Sequence, residues 1–579
     1  MIFKRSLQNQ FQIATALRET FSKGYSARTF KDDIVAAFII AMVSLPLSIA
    51  LSVAVGLPPA NGLYTAIVAG LIVPLLGGSQ TQITGPTAAF VVIVAPIVAD
   101  LGMRGVIWCQ IIAGMFLILM GISRVGKYIQ YIPYSVTTGF SAGIALVVAV
   151  YALDNFFGIK IRHLDTDLIT HVTGLFENIS KINFYELAVG GLTLAIIVIF
   201  TKFHKLIPSS VLGITAGAGL AFILNKYGHN VSTIESMFTY VDADRVIQKG
   251  IKGELPTFNL PSLRTGDIYA LPSLSELKIF LMPALVIAML AALESLLSAT
   301  VADSMTGTKH NSSSELNALG VGNIFTGFAL GMPATGAIAR TAANINAGGK
   351  TPISAIFNAI FILVFLLFCT PLIKKIPMAA LSALLLINAY RLSQFRQFLR
   401  IIAEAPKSDV AVLLICFFLT AFVDIVAGIT VGMILASLLF MKSVSEITNV
   451  KLESKRADTD EQNNSLPDDV LVYNIDGPLF FGSVQKAYTR SNFMNDKIKT
   501  IIINMEHVPY IDISGLMAIK GMVNTTTRQK RRTILVGNNK IISMILRKTS
   551  FGSNVDDTQY IETYESFSEV VKGFQEQGQ

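Results

Sequence analysis

Eight blocks of this sequence are long enough, and carry few enough charges, to cross a lipid bilayer: 34–55 (IVAAFIIAMVSLPLSIALSVAV), 105–123, 136–153, 184–201, 207–224, 279–302, 353–373 and 410–441. A spanning helix needs about 20 predominantly apolar residues. The last block is long enough for a tight pair of helices broken at Asp424. Weaker apolar stretches at 62–76, 84–100, 315–331, 336–346 and 377–390 bring the expected number of membrane segments to fourteen. No soluble fold accommodates such a series, so the chain reads as an α-helical membrane protein.

The charges are unevenly spread. They make up 15% of the chain, against about 25% in ordinary soluble proteins, and beyond about residue 442 they recur every few positions. The expected organisation is a cytoplasmic N-terminal region (1–33), a transmembrane domain (34–442), a polar linker (443–466) and a soluble domain (467–579). The opening stretch lacks the apolar core and small-residue cleavage site of a signal peptide. Much of the net charge of +8 flanks apolar blocks, as at Arg124, Lys127, Lys309, Lys350, Arg391 and Lys407. That pattern fits the positive-inside rule with a cytoplasmic N-terminus rather than nucleic-acid binding. Lys374 and Lys375 fall on the other side of this arrangement. Cys109, Cys369 and Cys416 all lie in apolar blocks and read as small core residues.

Two segments are poor spanning helices. Residues 336–346 rise only roughly 16 Å at about 1.5 Å each, half of a hydrocarbon core of about 30 Å. Segment 84–100 follows the polar run GGSQTQ and opens with TGPTAAF. They are the third and tenth of fourteen, equivalent places in two halves of seven. Short Gly/Pro-interrupted segments at matching places point to a transport site between inverted repeats. Thr84-Gly85 and Thr335-Gly336 then begin two half-helices within the membrane, each presenting unpaired N–H groups and about +0.5 of dipole charge. Facing each other, the two ends form an anion site. Arg340, one turn into the second, adds a full positive charge where charge is expensive. The alternatives are an Arg340 that snorkels to the surface or pairs with a structural acid.

Several stretches resemble the SulP/SLC26 family of anion transporters. They are the DDIVAAFIIAMVSLPLSIALSVAVGLPPANGLYTAIVAG run, ITGPTAAFVV, ALESLLSATVADSMTGTKHNSSSELNALGVGNI and AIARTAANINAGGKTPIS. The region from about Pro467 resembles a STAS domain. The resemblance implies two inverted repeats of seven segments, forming core and gate domains, and usually a homodimer. By motif position it implies substrate contacts from Pro46, Ser48, Thr87, Ala88, Ala89, Ala339, Arg340 and Thr341, with Glu294 and Ser298 handling a coupling ion. Sulfate-type members commonly carry Pro-Gln where this chain has Pro46-Leu47. The words ESLL, MTGTKH, SEL and GNI are most similar to the bacterial DauA-like dicarboxylate branch.

Glu294 lies deep in an apolar block, where burial favours the neutral acid unless Arg340 holds it ionised. Two dipole ends plus Arg340 give roughly +2, and an ionised Glu294 reduces this to about +1. Protonation then favours a dianion such as succinate, so proton and substrate assist each other, as symport requires. A structural Glu294–Arg340 pair and sodium coupling through Glu294 and Ser298 remain open, as do bicarbonate or sulfate as the substrate, an uncoupled anion channel and a membrane receptor.

The soluble tail alternates strand and helix patterns: VLVYNIDGPLFFG as two strands, SVQKAYTRSNFMN as a helix, then IKTIIINM, SGLMAIKGMVNTTTRQK, RTILVG and KIISMILRKT. Its DISG sequence resembles the loop of anti-sigma-factor antagonists whose serine is phosphorylated. Ser514 is therefore read either as a phosphorylation site or as a helix N-cap. The tail is expected to join protomers or dock a cytosolic protein. GGKT at 348–351 lacks the first Walker glycine and a preceding strand. The six histidines form no paired-ligand spacing, and Ser514 has no GxSxG context. Neither an enzyme, a cofactor nor a metal is expected.

Overall fold

The computed structural model describes residues 13–159, 168–201, 208–241, 247–262, 268–453, 466–467, 469–483, 498–546 and 560–577. By internal packing the chain divides into two units, Met1–Met433 and Ile434–Gln579. In the first, an 8-residue helix, Thr15–Ser22, precedes α1 (Ala27–Ala54). That helix starts earlier than the apolar block because the polar run before the block is part of it. Ser26 accepts from Thr29 N at 3.1 Å. Asp33 is fully buried, accepting from Thr351 Oγ1 at 2.5 Å, Lys350 N at 2.7 Å and Tyr25 Oη at 3.0 Å.

There follow α2 (Pro59–Leu76), strand β1 (Thr84–Gly85), and a long helix, Val91–Ile122, broken at Gly102. At φ 63° and ψ −166°, Gly102 splits it into α3 (91–101) and α4 (103–122). Next come α5 (Tyr134–Phe157), α6 (Phe184–Phe200), α7 (Ser209–Lys226) and a hairpin of β2 (Thr239–Val241) with β3 (Ile247–Lys249). The second half runs through α8 (Leu274–Thr306), α9 (Ser312–Phe328), strand β4 (Thr335–Gly336), α10 (Ile338–Asn346), α11 (Pro352–Phe368), α12 (Met378–Leu392), α13 (Lys407–Phe422) and α14 (Ile425–Ile447). Among the described residues these fourteen helices match the expected segments, with shorter helices such as Leu168–Glu177 and Phe395–Glu404 between them. Seven helices among the described residues are long and apolar enough by themselves to cross a membrane. Asp424 separates α13 from α14 and caps the latter, accepting from Val426 N at 3.0 Å and Ala427 N at 3.2 Å.

The segments pack in two groups, α1–α4 with α8–α11, and α5–α7 with α12–α14. In the first, α4 and α9 meet backbone to backbone. A Cβ on Gly114 would lie 2.6 Å from the Gly320 carbonyl oxygen, and one on Gly320 2.5 Å from that of Gly114. Small residues serve this way where no hydrophobic driving force separates helix from lipid. Lys374 and Lys375 stay on the face of the long α7–α8 connection. Lys374 lies 5.4 Å above the Tyr240 ring and Lys375 5.9 Å above that of Phe222, so aromatic faces hold these two charges on the side where topology disfavours them.

In the second unit, a five-stranded sheet has the order β5–β6–β7–β8–β9. Its members are β5 (Asn449–Glu453), β6 (Val470–Asp476), β7 (Thr500–Met505), β8 (Arg532–Gly537) and β9 (Ile561–Tyr564). β5 runs antiparallel to β6 and the rest are parallel. Alternation along the strands fills both faces. Ile501 and Ile503 pack with Ile519 and Val523 of α15 (Ile513–Arg528) and Ile545 of α16 (Asn539–Leu546). Ile502 and Ile534 pack with Val570 and Val571 of α17 (Phe567–Gln577).

Two expectations change here. Much of the first half of the stretch read as linker is structured: α14 continues to Ile447, and Asn449–Glu453 is an edge strand, whose polar composition suits an edge. VLVYNIDGPLFFG forms one strand rather than two, because Gly477 at φ 97° and Pro478 end it, leaving a single bridge from Leu479 to Ile511. Most of the helix expected over SVQKAYTRSNFMN lies outside the described residues.

Candidate functional site

Strands β1 and β4 pair antiparallel, Thr84 with Gly336 and Gly85 with Thr335, so the two half-helix starts are held together. After β1, Pro86 and Thr87 lead into a 3-10 turn, Ala88–Phe90, and then α3. After β4, Ala337 leads into α10. Neither start is capped by a side chain, which leaves first-turn N–H groups for a ligand. The junction is braced from behind. Ala337 N donates to the Ile83 carbonyl at 2.9 Å, Ile83 N donates to Thr341 Oγ1 at 3.1 Å, and Ser298 Oγ donates to Thr341 Oγ1 at 3.1 Å.

Among the described residues Arg340 neither snorkels nor forms a close ion pair, although it lies within electrostatic reach of Glu294. It is 3% exposed, and Nη2 donates to the Pro86 carbonyl, tying α10 to the start of α3. Its Nε and Nη1 have no hydrogen-bond partner among the described residues. Glu294 Oε2 instead accepts from Thr87 Oγ1 at 2.7 Å. The guanidinium lies over Gly85, where a Cβ would come within 2.9 Å of Nη1. On the opposite side of the strand pair, Gln82 Nε2 donates to Ser295 Oγ at 2.6 Å and to Glu315 Oε1 at 2.9 Å. Glu315, 1% exposed, also accepts from Gly78 N at 2.9 Å and Ser79 N at 3.0 Å. This network fixes the extended approach to β1 against α8 and α9.

A cavity of about 280 Å³ opens before the two tips. Of the residues named from sequence, Thr87, Ala88, Ala339, Arg340 and Glu294 line it. Five do not. On α1, Leu47 and Leu51 face the cavity, while Pro46 and Ser48 are buried in the helix packing, with the Ser48 carbonyl where Gly62 of α2 packs. Ala89 is buried behind Ala88, and Ser298 and Thr341 are fully buried and occupied with the brace. The sequence reading missed the opposite wall: Phe140 and Ile144 of α5, and Asn388 and Arg391 of α12. Nothing in the run TTGFSAGI marks it as a wall, and Arg391 reads there only as a topology charge.

Neighbouring cavities give the site a direction. One of about 640 Å³ shares Leu47, Asn388 and Arg391 with it, and one of about 1070 Å³ shares Leu297. Both lie at one face of the domain, where α4, α6 and α8 end and α7 and α9 begin, and where Thr15 and Glu19 also lie. A cavity of about 890 Å³ at the opposite helix ends, beside Asp100 and Asp424, shares no lining residue with the site.

Ser514 lies in the second unit, at the start of α15. The N-cap is Asp512, whose Oδ1 accepts from Gly515 N at 2.8 Å, so Ser514 itself sits inside the first turn. Asp512 Oδ2 also accepts from Phe481 N at 3.0 Å.

The sulfate permease family model matches residues 30–416, and the STAS domain model residues 463–569. A putative sulfate transporter of Bacillus subtilis, YvdB, is 30% identical over 553 residues, covering 94% of this chain and 98% of that one. The bicarbonate transporter BicA of a Picosynechococcus species is 27% identical over 534 residues, covering 88% and 89%. The murine Solute Carrier 26 member A9 anion transporter, solved in the inward-facing state, shares the fold with a TM-score of 0.81 at 18% identity, covering 97% of this chain and 94% of that one. The fourteen segments, in two inverted repeats of seven and followed by a STAS domain, fit that architecture. Family and relatives are transporters, not enzymes. The chain belongs to the sulfate permease family and is a multi-pass membrane anion transporter with a C-terminal STAS domain.

Proposed function

We propose that this transporter is a proton-coupled carrier that takes up C4-dicarboxylates such as succinate, fumarate or aspartate. The observation that carries the reading is the pairing at the half-helix tips: Arg340, buried with two nitrogens unpartnered, beside Glu294, which is bonded only to a hydroxyl. The arginine and the uncapped N–H groups hold the anion. Glu294 is free to bind a proton without breaking an ion pair, and its neutral form leaves the site more positive by one charge. Binding of either partner therefore favours the other. An uncoupled channel has no use for an acid in its path.

The walls support an organic substrate. Leu47, Leu51, Leu290, Leu293 and Leu297 surround the tips, an environment suited to a hydrocarbon chain and poor for a strongly hydrated ion such as sulfate. The words ESLL, MTGTKH, SEL and GNI support the dicarboxylate branch. A second reading, bicarbonate transport coupled to sodium or protons, is supported by the likeness to BicA. Bacterial relatives support a place in the cytoplasmic (inner) membrane, with the N-terminus and STAS domain facing the cytoplasm. The family resemblance supports a homodimer.

The test is uptake of labelled succinate into sodium-free proteoliposomes under an inward proton gradient. Accumulation that collapses with a protonophore is expected. Folded protein that accumulates bicarbonate but not succinate contradicts the reading.

A further inference from the structure

We infer that Arg391, at the end of α12, is a second cationic pole of the site and reads the far carboxylate of a dicarboxylate whose near carboxylate sits on Arg340. The inference rests on the dicarboxylate reading and names the residue that sets it. Arg391 lines the same cavity of about 280 Å³ as Arg340, from the opposite helix group. Its side chain is exposed and makes no hydrogen bond or ion pair among the described residues. Asn388, three residues earlier and so on the same helical face, lines the cavity with it.

The surfaces around these poles include Leu47, Leu51, Phe140 and Ile144. A monoanion needs one pole. Two cations in an apolar-walled cavity match a molecule with two charged ends and a hydrocarbon middle. Arg391 does border the larger cavity of about 640 Å³, but it also forms a wall of the site.

The placement has a consequence for the transport cycle. Arg340 belongs to the α1–α4/α8–α11 group and Arg391 to the α5–α7/α12–α14 group. In the empty site two like charges face one cavity, which opposes approach of the groups. A dianion between them reverses the sign of that interaction and favours the closed form by its differential affinity.

The experiment compares succinate with succinamate, its near-isosteric half-amide, as competitors of labelled succinate uptake by full-length protein in proteoliposomes. Wild type is expected to bind succinate at least about tenfold more tightly than succinamate. In Arg391→Gln the ratio falls to near one through loss of succinate affinity alone, with succinamate unchanged. Arg391→Lys restores most of the preference. A wild-type preference that survives in a folded Arg391→Gln overturns the inference, and so does an equal loss for both ligands. Wild-type protein that transports bicarbonate but not succinate brings down the dicarboxylate reading itself, a distinguishable outcome.

Discussion

Arg340 does two things at once: it ties α10 to the Pro86 carbonyl and brings two nitrogens without a protein partner to the wall of the cavity. A planar guanidinium with five donors can do both, whereas a lysine ammonium on a flexible stem cannot hold the same fork. Arg340→Ala is therefore expected to weaken anion binding at least about hundredfold, or roughly 2.8 kcal/mol. Arg340→Lys should fall between it and wild type, because charge survives and geometry does not. Competition binding on detergent-purified protein reads both, and equal affinity of all three would remove Arg340 from the site. At this scale much of the site was legible, since an arginine amid GMPATGAIART has few other uses. Ser298 and Thr341 lie behind the cavity rather than on it, because motif position gives the neighbourhood but not the rotamer. Ser298 Oγ donates to Thr341 Oγ1, which also accepts from Ile83 N, so both hydroxyls serve the brace.

The two-strand bridge of β1 and β4 is the element on which the site depends. Its two glycines should differ in tolerance. A Cβ on Gly336 would lie 2.0 Å from Gln82 Nε2 and 3.1 Å from Ser295 Oγ, inside a network that cannot give way without unpairing Glu315. The atoms nearest to a Cβ on Gly85 are those at the far end of the Arg340 side chain, the first at 2.9 Å. Gly336→Ala should lower the melting temperature of the purified protein and abolish transport. Gly85→Ala should leave melting close to wild type while weakening substrate binding, and the reverse ranking would refute this placement. In the STAS sheet, Arg532 donates to Glu562 through Nε at 2.6 Å and Nη2 at 2.8 Å, and that pairing holds the Glu562 carboxyl below its ordinary value of 4.5. A lowered carboxyl contributes stability that is present above its ordinary value and lost as pH falls through the lowered one. Because both side chains are about a third exposed, screening limits the contribution to under about 1 kcal/mol. Glu562→Gln should lower stability slightly at neutral pH, and the difference should vanish in acid. The elements themselves were legible from apolar runs and Gly/Pro punctuation. The start of α1 was not, since RTFKDD carries charge at a helix end that Asp33 buries by capping Thr351.

For the whole molecule, the site shares lining residues with cavities at one face and none with the cavity at the other. An impermeant thiol reagent should therefore label Thr137→Cys, in a background lacking the three native cysteines, faster from the N-terminal side. Substrate should slow that labelling, and faster labelling from the opposite side would contradict the assigned opening. The fourteen-segment plan could be read from hydropathy, whereas the direction of opening could not, because it depends on which of two packings the same helix faces adopt. Arg391 shows the limit of the sequence: a charge at a helix end reads as topology until the fold puts α12 and α10 on one cavity. The central claim is that the anion on Arg340 and a proton on Glu294 bind together. Proton exchange on adding succinate to lightly buffered purified protein near neutral pH tests it most directly. The account predicts net proton uptake by wild type and none by a Glu294→Gln variant that still binds succinate. Equal uptake by both, or none by wild type, would contradict it.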